Sequence, residues 1–414
     1  MFKGVKKRKM KNNVLKIVAL GGLMVAATAS LAACGNSGSG MKVGLICLHP
    51  AASSTYDKNF VEAFKASAKK LGFDPIIREN VPEGEECQQV AENLAETGCK
   101  VVFADSFGHE DYMIEAAKKY PKVQFCHATG TKAAATNLKN YHNAFAQIYE
   151  GRYLAGVVAG LKLQEMIAAK PETAHKVGYV AAHPYAEVMS GYTAWYLGVK
   201  SIVNDVTMDV KYTDSWYDET AERTAANALI EGGCVLLSQH ADSYGAPSAC
   251  EKAGVPNVSY NGSTAGVAPE TFLISSRINW SPYYELVVNA VKAVESPELA
   301  DIPADWAGGF KEGAVELSEL GKNVAKDTQA KIDEVKAKLE NKSLHVFDTS
   351  KFTIGGAAPS EENMAPSKQW TYDYPAGTQF VKDGYYHESE YRSAPSFDVL
   401  IDGINDVGHV TPGA

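Results

Sequence analysis

Three things are scarce in this sequence, and each scarcity excludes something. After Cys34 no apolar run reaches the roughly 20 residues that a membrane-spanning helix needs, so nothing beyond that point is expected to cross a bilayer as a helix. Basic residues are few. The 414-residue chain has 40 Lys and Arg against 49 Asp and Glu, and seven of the basic ones (Lys3, Lys6, Lys7, Arg8, Lys9, Lys11 and Lys16) precede Cys34, where no acid occurs. That leaves 33 basic residues against 49 acidic ones, a formal charge of −16. So acidic a body argues against nucleic acid as a partner, because phosphate binding needs clustered Lys and Arg. Cysteine is also sparse, with seven in the chain, and no spacing among them suits zinc. Catalytic and phosphate-binding motifs are wanting as well. No Gly-x-x-x-x-Gly-Lys-Ser/Thr appears, no Gly-x-Gly-x-x-Gly follows the first strand, and Met189-Ser190-Gly191 is not a nucleophile elbow.

What is present starts with the leader. The basic segment is followed by a short apolar stretch, Ile17 to Leu31, and then by Leu31-Ala32-Ala33-Cys34. That order reads as a lipoprotein signal peptide over residues 1–33, with Cys34 as the lipidated first residue of the mature chain. Residues 34–40, rich in Gly and Ser, form a flexible tether. The expected location is the extracytoplasmic face of the cell membrane, anchored through lipid. Six cysteines remain, and an even number in an exported protein fits a disulfide framework. However, Cys47, Cys126 and Cys234 sit in or beside apolar strand-like runs. Buried cysteine acts there as a small hydrophobe, and a chain this long needs no staples, so free thiols are favoured.

The mature chain is rhythmic. Strands are expected at Lys42–Leu48, Phe73–Arg78, Val101–Ala104 and Val123–His127, with helices at Tyr56–Leu71, Cys87–Thr97 and Glu110–Lys119 between them. A long helix over Ala144–Met166 leads into a second cycle, from the strand Lys176–Ala182 to the helix Tyr283–Val294. This alternation predicts an α/β protein of two doubly wound, Rossmann-like lobes with parallel sheets. The first lobe is expected over 41–165, with the chain returning to it near 280–325, and the second over 170–280. Asp327–Leu339 reads as a helix. Residues 340–414 read as a loop-rich extension wrapped on the lobes, because its many aromatics, Trp370, Tyr372 and Tyr386 among them, argue against free disorder.

Open α/β sheets bind ligands at the carboxyl ends of their strands. The polar and aromatic residues that collect there are His49, Ser54 and Tyr56; Asp105, Ser106 and Phe107; His127 and Thr129; His183, Tyr185 and Glu187; Trp216; Gln239, His240 and Asp242; and Trp280. Aromatic faces suit a flat ring, while amides and carboxylates read its edge. Phe107, Trp216 and Trp280 are the expected aromatic contacts. Glu187, Gln239 and Asp242 are the expected edge readers, with Ser54, Tyr56 and Ser106 completing the candidate ligand site. Asp105-Ser106 and Asp242-Ser243 fit equally well as caps of the helices that follow them. Trp195 and Tyr196, within a helix, read as core. The four histidines lack carboxylates at ligand spacing, so no metal or other cofactor is expected.

Several stretches resemble one family: Asp105-Ser106-Phe107-Gly108, Gly151-Arg152-Tyr153-Leu154-Ala155-Gly156, Pro184-Tyr185-Ala186-Glu187-Val188, Trp216-Tyr217-Asp218, Gln239-His240-Ala241-Asp242-Ser243, Asn279-Trp280 and His387-Glu388-Ser389-Glu390-Tyr391-Arg392. Together they resemble the basic-membrane-protein (BMP) family of substrate-binding lipoproteins of ABC transporters, in particular its purine-binding subset. The resemblance implies a type I periplasmic-binding-protein architecture, whose two hinged lobes close on a ligand. It also implies an ABC permease as partner, and a purine-like small molecule as cargo. One region departs. Nucleoside-binding relatives carry an Asp-rich stretch followed by Ser-Phe-Asn after the first strand, where this chain has His49-Pro50-Ala51-Ala52-Ser53-Ser54-Thr55-Tyr56-Asp57. That favours a bare base or another planar solute. The expected function is therefore solute capture without catalysis. The alternatives are a ligand-sensing surface lipoprotein, and an exported nucleoside hydrolase, which would need a nucleophile or carboxylate constellation that the sequence does not display.

Overall fold

The structure, a computed structural model, describes residues 40–367, 374–375 and 377–410. The expected signal peptide, Cys34, the tether up to residue 39, and Trp370 and Tyr372 lie outside the described residues. The first cycle runs β1 (Lys42–Ile46), α1 (Thr55–Leu71), β2 (Asp74–Arg78), α2 (Glu85–Glu96), β3 (Val101–Ala104), α3 (Glu110–Lys119), β4 (Gln124–Ala128), the single turn α4 (Ala133–Thr136) and β5 (Tyr141–Ala146). Next come α5 (Ile148–Ala169), β6 (Lys176–Ala181), α6 (Ala186–Lys200), β7 (Thr207–Tyr212), α7 (Glu219–Glu231), β8 (Leu237–His240), α8 (Gly245–Ala253), β9 (Asn257–Tyr260) and β10 (Phe272–Ile278). The remainder is α9 (Ser281–Lys292), β11 (Asp305–Gly308), β12 (Val315–Leu317), α10 (Thr328–Glu340), the short α11 (Glu361–Met364), the hairpin β13 (Val381–Lys382) and β14 (Tyr385–Tyr386), and β15 (Ile404–His409). Among the described residues no helix is long and apolar enough to cross a membrane.

Local chemistry sets these elements. β3, β4 and β8 are buried at every position, the pattern of strands covered on both faces by helices. α1 starts where the Ser54 hydroxyl accepts the Asp57 amide, and ends at Gly72, whose φ of 66° supplies the left-handed stop. The six-stranded sheet has the order β11-β5-β4-β3-β1-β2, with every pair parallel. The seven-stranded sheet has the order β12-β10-β9-β8-β6-β7-β15, parallel except for β12. The chain passes from the first sheet to the second through α5. It then returns by α9, which packs on α1, to β11, and crosses again to β12.

Three expectations change. Tyr141–Ala146 is a fully buried strand between β4 and β11, not the start of a helix; a segment this short carries too little periodicity to separate the two. β12 falls within the span expected to return to the first lobe, yet it pairs with β10 in the second sheet. The extension does more than wrap, because β15 adds a strand beside β7. The six cysteines of the described chain are buried and free.

α5 and α6 meet at backbone distance. A methyl group on Gly156 would overlap the Trp195 carbonyl oxygen, and one on Gly198 the Tyr153 carbonyl oxygen. Gly156→Ala should therefore force the helices apart and cost about 1–3 kcal/mol. The check is a lower denaturation midpoint at an unchanged denaturant slope; an unaltered midpoint would mean that the helices have room to spare.

Candidate functional site

The carboxyl ends of both sheets face one cavity. Leu48, His49, Tyr56, Asp57, Ser106, Phe107 and Thr129 line it from the first lobe, and Glu187, Trp216, His240 and Asp242 from the second. The space between them, counted together with the solvent at its mouth, is about 380 Å³. The lobes already touch at its rim. The Thr55 amide donates to the Asp242 carbonyl at 3.0 Å. The rings of His49 and Tyr217 lie 5.4 Å apart, and those of Phe107 and Tyr185 5.9 Å apart. The two lobes are thus in contact across the cleft.

Each lining side chain is positioned by the turn that carries it. Tyr56 opens α1 and donates its hydroxyl to the Asp105 carbonyl at 2.7 Å. The Asp57 carboxylate accepts the His49 amide at 2.8 Å, which folds the loop after β1 over the cavity. Asp105 accepts the Leu48 amide at 3.1 Å. Burial first, and then the charge of Asp57, push the Asp105 carboxyl well above the usual carboxylate range. The Trp216 ring stands edge-on to His183 at 4.9 Å and to Tyr185 at 5.7 Å. His183 and Tyr185 themselves stack at 4.8 Å. Burial lowers His240 to about 4 despite Glu187 at 3.3 Å, so at neutral pH the contact joins a neutral imidazole to a carboxyl group. Burial also raises Asp242 well above its ordinary value.

Beneath the second lobe's side of the cavity lies Arg152 on α5, buried and stacked on Tyr260 with its guanidinium carbon 3.3 Å from the ring centroid. It donates to the Gln239 carbonyl at 3.0 Å, placing a fixed positive charge behind Asp242 and Glu187.

Of the nine candidate ligand residues, Tyr56, Ser106, Phe107, Glu187, Trp216 and Asp242 are brought together at the cavity, and Ser54, Gln239 and Trp280 are not among its lining. Ser54 is buried, spending its hydroxyl on Asp57 and its oxygen on the cap of α1. Gln239 turns inward and donates to the carbonyls of Ala241 at 2.9 Å and Ser243 at 3.3 Å, which stiffens the loop after β8. Trp280 is 1 % exposed and stacks on Phe60 with centroids 4.3 Å apart. The capping alternatives also divide. α8 starts at N-cap Tyr244 with no side-chain cap, the Ser243 hydroxyl only accepting the Gly245 amide, while Asp242 faces the cavity. Ser106 donates its hydroxyl to Glu83 and makes no side-chain cap. Asp57 was hidden in sequence because an acid in a first helical turn has an ordinary reason to be there.

Glu222 on α7 ties this loop down, its Oε1 accepting the Ser243 amide at 3.2 Å and the Asp218 amide at 3.3 Å. Burial raises its carboxyl from 4.5 to about 7. The folded chain therefore keeps this proton to higher pH than the unfolded chain, and the stability it contributes fades as pH rises from 4.5 to about 7. Glu222→Gln keeps the acceptor and removes the titration. The variant should gain on the wild type by up to about 3 kcal/mol across that window. Equal pH slopes in the two proteins would refute the assignment.

Two α/β lobes, three crossings among the described residues and a cavity at the facing strand ends define the architecture: that of a type I periplasmic binding protein. Solved structures agree. The solute-binding protein from Aeropyrum pernix K1 superposes with a TM-score of 0.61 at 17 % identity, covering 74 % of this chain and 93 % of that one. The solute-binding protein from Conexibacter woesei gives 0.60 at 20 % identity over 74 % and 98 %. The profile described as ABC transporter substrate-binding protein PnrA-like matches residues 41–350, and the chain belongs to that family, Bmp. A purine-binding protein of Brucella abortus is 31 % identical over 309 residues, which is 74 % of this chain and 83 % of that one. A putative ABC transporter glucose-binding protein, TsgA13 of Haloferax volcanii, is 32 % identical over 265 residues, 64 % of this chain and 63 % of that one. The family is one of substrate-binding proteins, extracytoplasmic partners of ABC permeases.

Proposed function

We propose that this protein is a lipid-anchored receptor of an ABC importer, held outside the membrane through Cys34, and that it captures a purine base or nucleoside-like solute between its lobes without chemical change. The observation that carries the reading is the cavity lining. Phe107, Tyr56 and Trp216 offer ring faces, while Asp57, Asp242, Glu187 and Ser106 surround them with hydrogen-bonding groups. Buried Asp242 is protonated more readily than an ordinary carboxyl group, so it can donate to a ring nitrogen as well as accept from an exocyclic amine. The purine-binding relative supports this choice of cargo.

A thermal-shift panel of purine bases, nucleosides, amino acids and sugars tests it, since a ligand that binds only the folded state raises the melting temperature. Purines should give the largest shift. A shift confined to sugars, the cargo named for the Haloferax relative, would overturn the purine assignment. Release of free base from nucleosides during incubation would overturn the non-catalytic one.

A further inference from the structure

The family match ends at residue 350, yet the chain goes on and comes back to the cleft. Phe107, Thr129 and Glu187, which line the main cavity, also line a second one. Its other side is formed by Tyr185 and by Arg392, Ala394 and Pro395 of the extension, around a space of about 420 Å³ counted together with the solvent at its mouth. The two cavities are neighbours through three shared side chains. The second cavity, the vestibule, is bounded by both lobes and by the extension.

The turn that forms this wall is held from several directions. The Ser393 amide donates to Asp305 of β11 at 2.9 Å, fixing it to the first sheet. The buried Glu388 carboxylate accepts the amides of Ser396 at 3.0 Å and Phe397 at 3.1 Å. The Tyr149 hydroxyl, at the start of α5, donates to the Glu388 carbonyl at 3.3 Å. Arg392 folds back on its own turn, reaching the carbonyls of Ala394 at 3.4 Å and Pro395 at 3.3 Å. Farther along, β15 locks the extension into the second sheet. Ala394 and Pro395 are buried. A wall fixed at this many points discriminates by shape, because little ordering remains to be done when a ligand arrives.

We propose that the turn Arg392–Pro395 is a specificity-determining wall of the ligand site, setting how large a substituent the bound ring can project into the vestibule. The inference rests on the cleft being the ligand site, as proposed above. The projecting group it suits is hydroxylated, met by the polar groups of Thr129, Glu187 and Arg392 and by the apolar faces of Phe107 and Pro395.

Two variants of the full chain test the wall in opposite directions. Ala394→Leu narrows the vestibule, and Arg392→Ala widens it, both by removing a side chain that lines it and by removing the bonds to the Ala394 and Pro395 carbonyls. Dissociation constants are measured for two pairs graded in size, adenine with adenosine and glucose with maltose. Ala394→Leu should weaken the larger member of the bound pair by about tenfold or more, a scale that one or two methylene groups in a tight pocket can reach, and leave the smaller within about threefold. Arg392→Ala should shift the large-to-small ratio without an equal loss for both. If either variant unfolds, the other still reads the ratio. Equal changes for both members of the pair would overturn the wall. Binding of the sugar pair alone would overturn the purine reading while the wall is judged on sugars, and binding of neither pair would overturn both.

Discussion

Trp280→Ala should cost about 3–5 kcal/mol of folding stability, the usual range for emptying a large aromatic site in a core. The indole is 1 % exposed, and it lies between Phe60 of α1, stacked at 4.3 Å, and Phe145 of β5, edge-on at 6.3 Å. It thereby joins the returning segment before α9 to the first lobe. The loss should appear as a lower denaturation midpoint at an unchanged slope. Trp280→Phe, which keeps a ring against Phe60, should recover part of it. Near-wild-type stability in the alanine variant would show that this ring is not structural.

Trp216→Ala should do the reverse. Its ring is partly exposed at the cavity and touches His183 and Tyr185, side chains of the same rim. Loss of one stacking face costs about 1–3 kcal/mol of base binding, or roughly 5- to 150-fold in Kd. The ligand-free melting temperature should move little. A large fall in ligand-free stability, with affinity retained, would make Trp216 a core residue and remove the aromatic floor of the proposed site.

These two tryptophans show what the sequence could and could not tell. Both stand just beyond strand ends, and both were expected to meet ligand. Their difference comes from the third dimension. The turn before α9 points its ring back at α1, whereas the loop after β7 points its ring across the cleft. Strand-helix alternation made the two lobes legible, and the strand-end rule placed Tyr56, Ser106, Phe107, Glu187, Trp216 and Asp242 at the cavity. Ser54 was misplaced because serine after a strand serves a ligand or a helix cap equally well, and here α1 claims it. Gln239 was misplaced because its side-chain amide is spent on the Ala241 and Ser243 carbonyls of the following loop. Arg152 sits in the Gly151–Gly156 stretch, yet nothing local marks a helical arginine as the buried charge behind a site. The roles of β5, β12 and β15 depend on long-range pairing, which leaves little trace in short segments. The extension's place at the cleft was out of reach for the same reason: its contacts with Asp305 and Tyr149 span 88 and 239 residues of sequence.

The central claim is that the cleft takes up a purine-like solute. Calorimetric titration of the purified protein with adenine and adenosine, beside glucose as a control, tests it most directly. The account predicts saturable one-to-one heats for at least one purine, strongly weakened in Trp216→Ala and retained in Glu222→Gln. No heat from either purine, together with saturable binding of glucose, would contradict it.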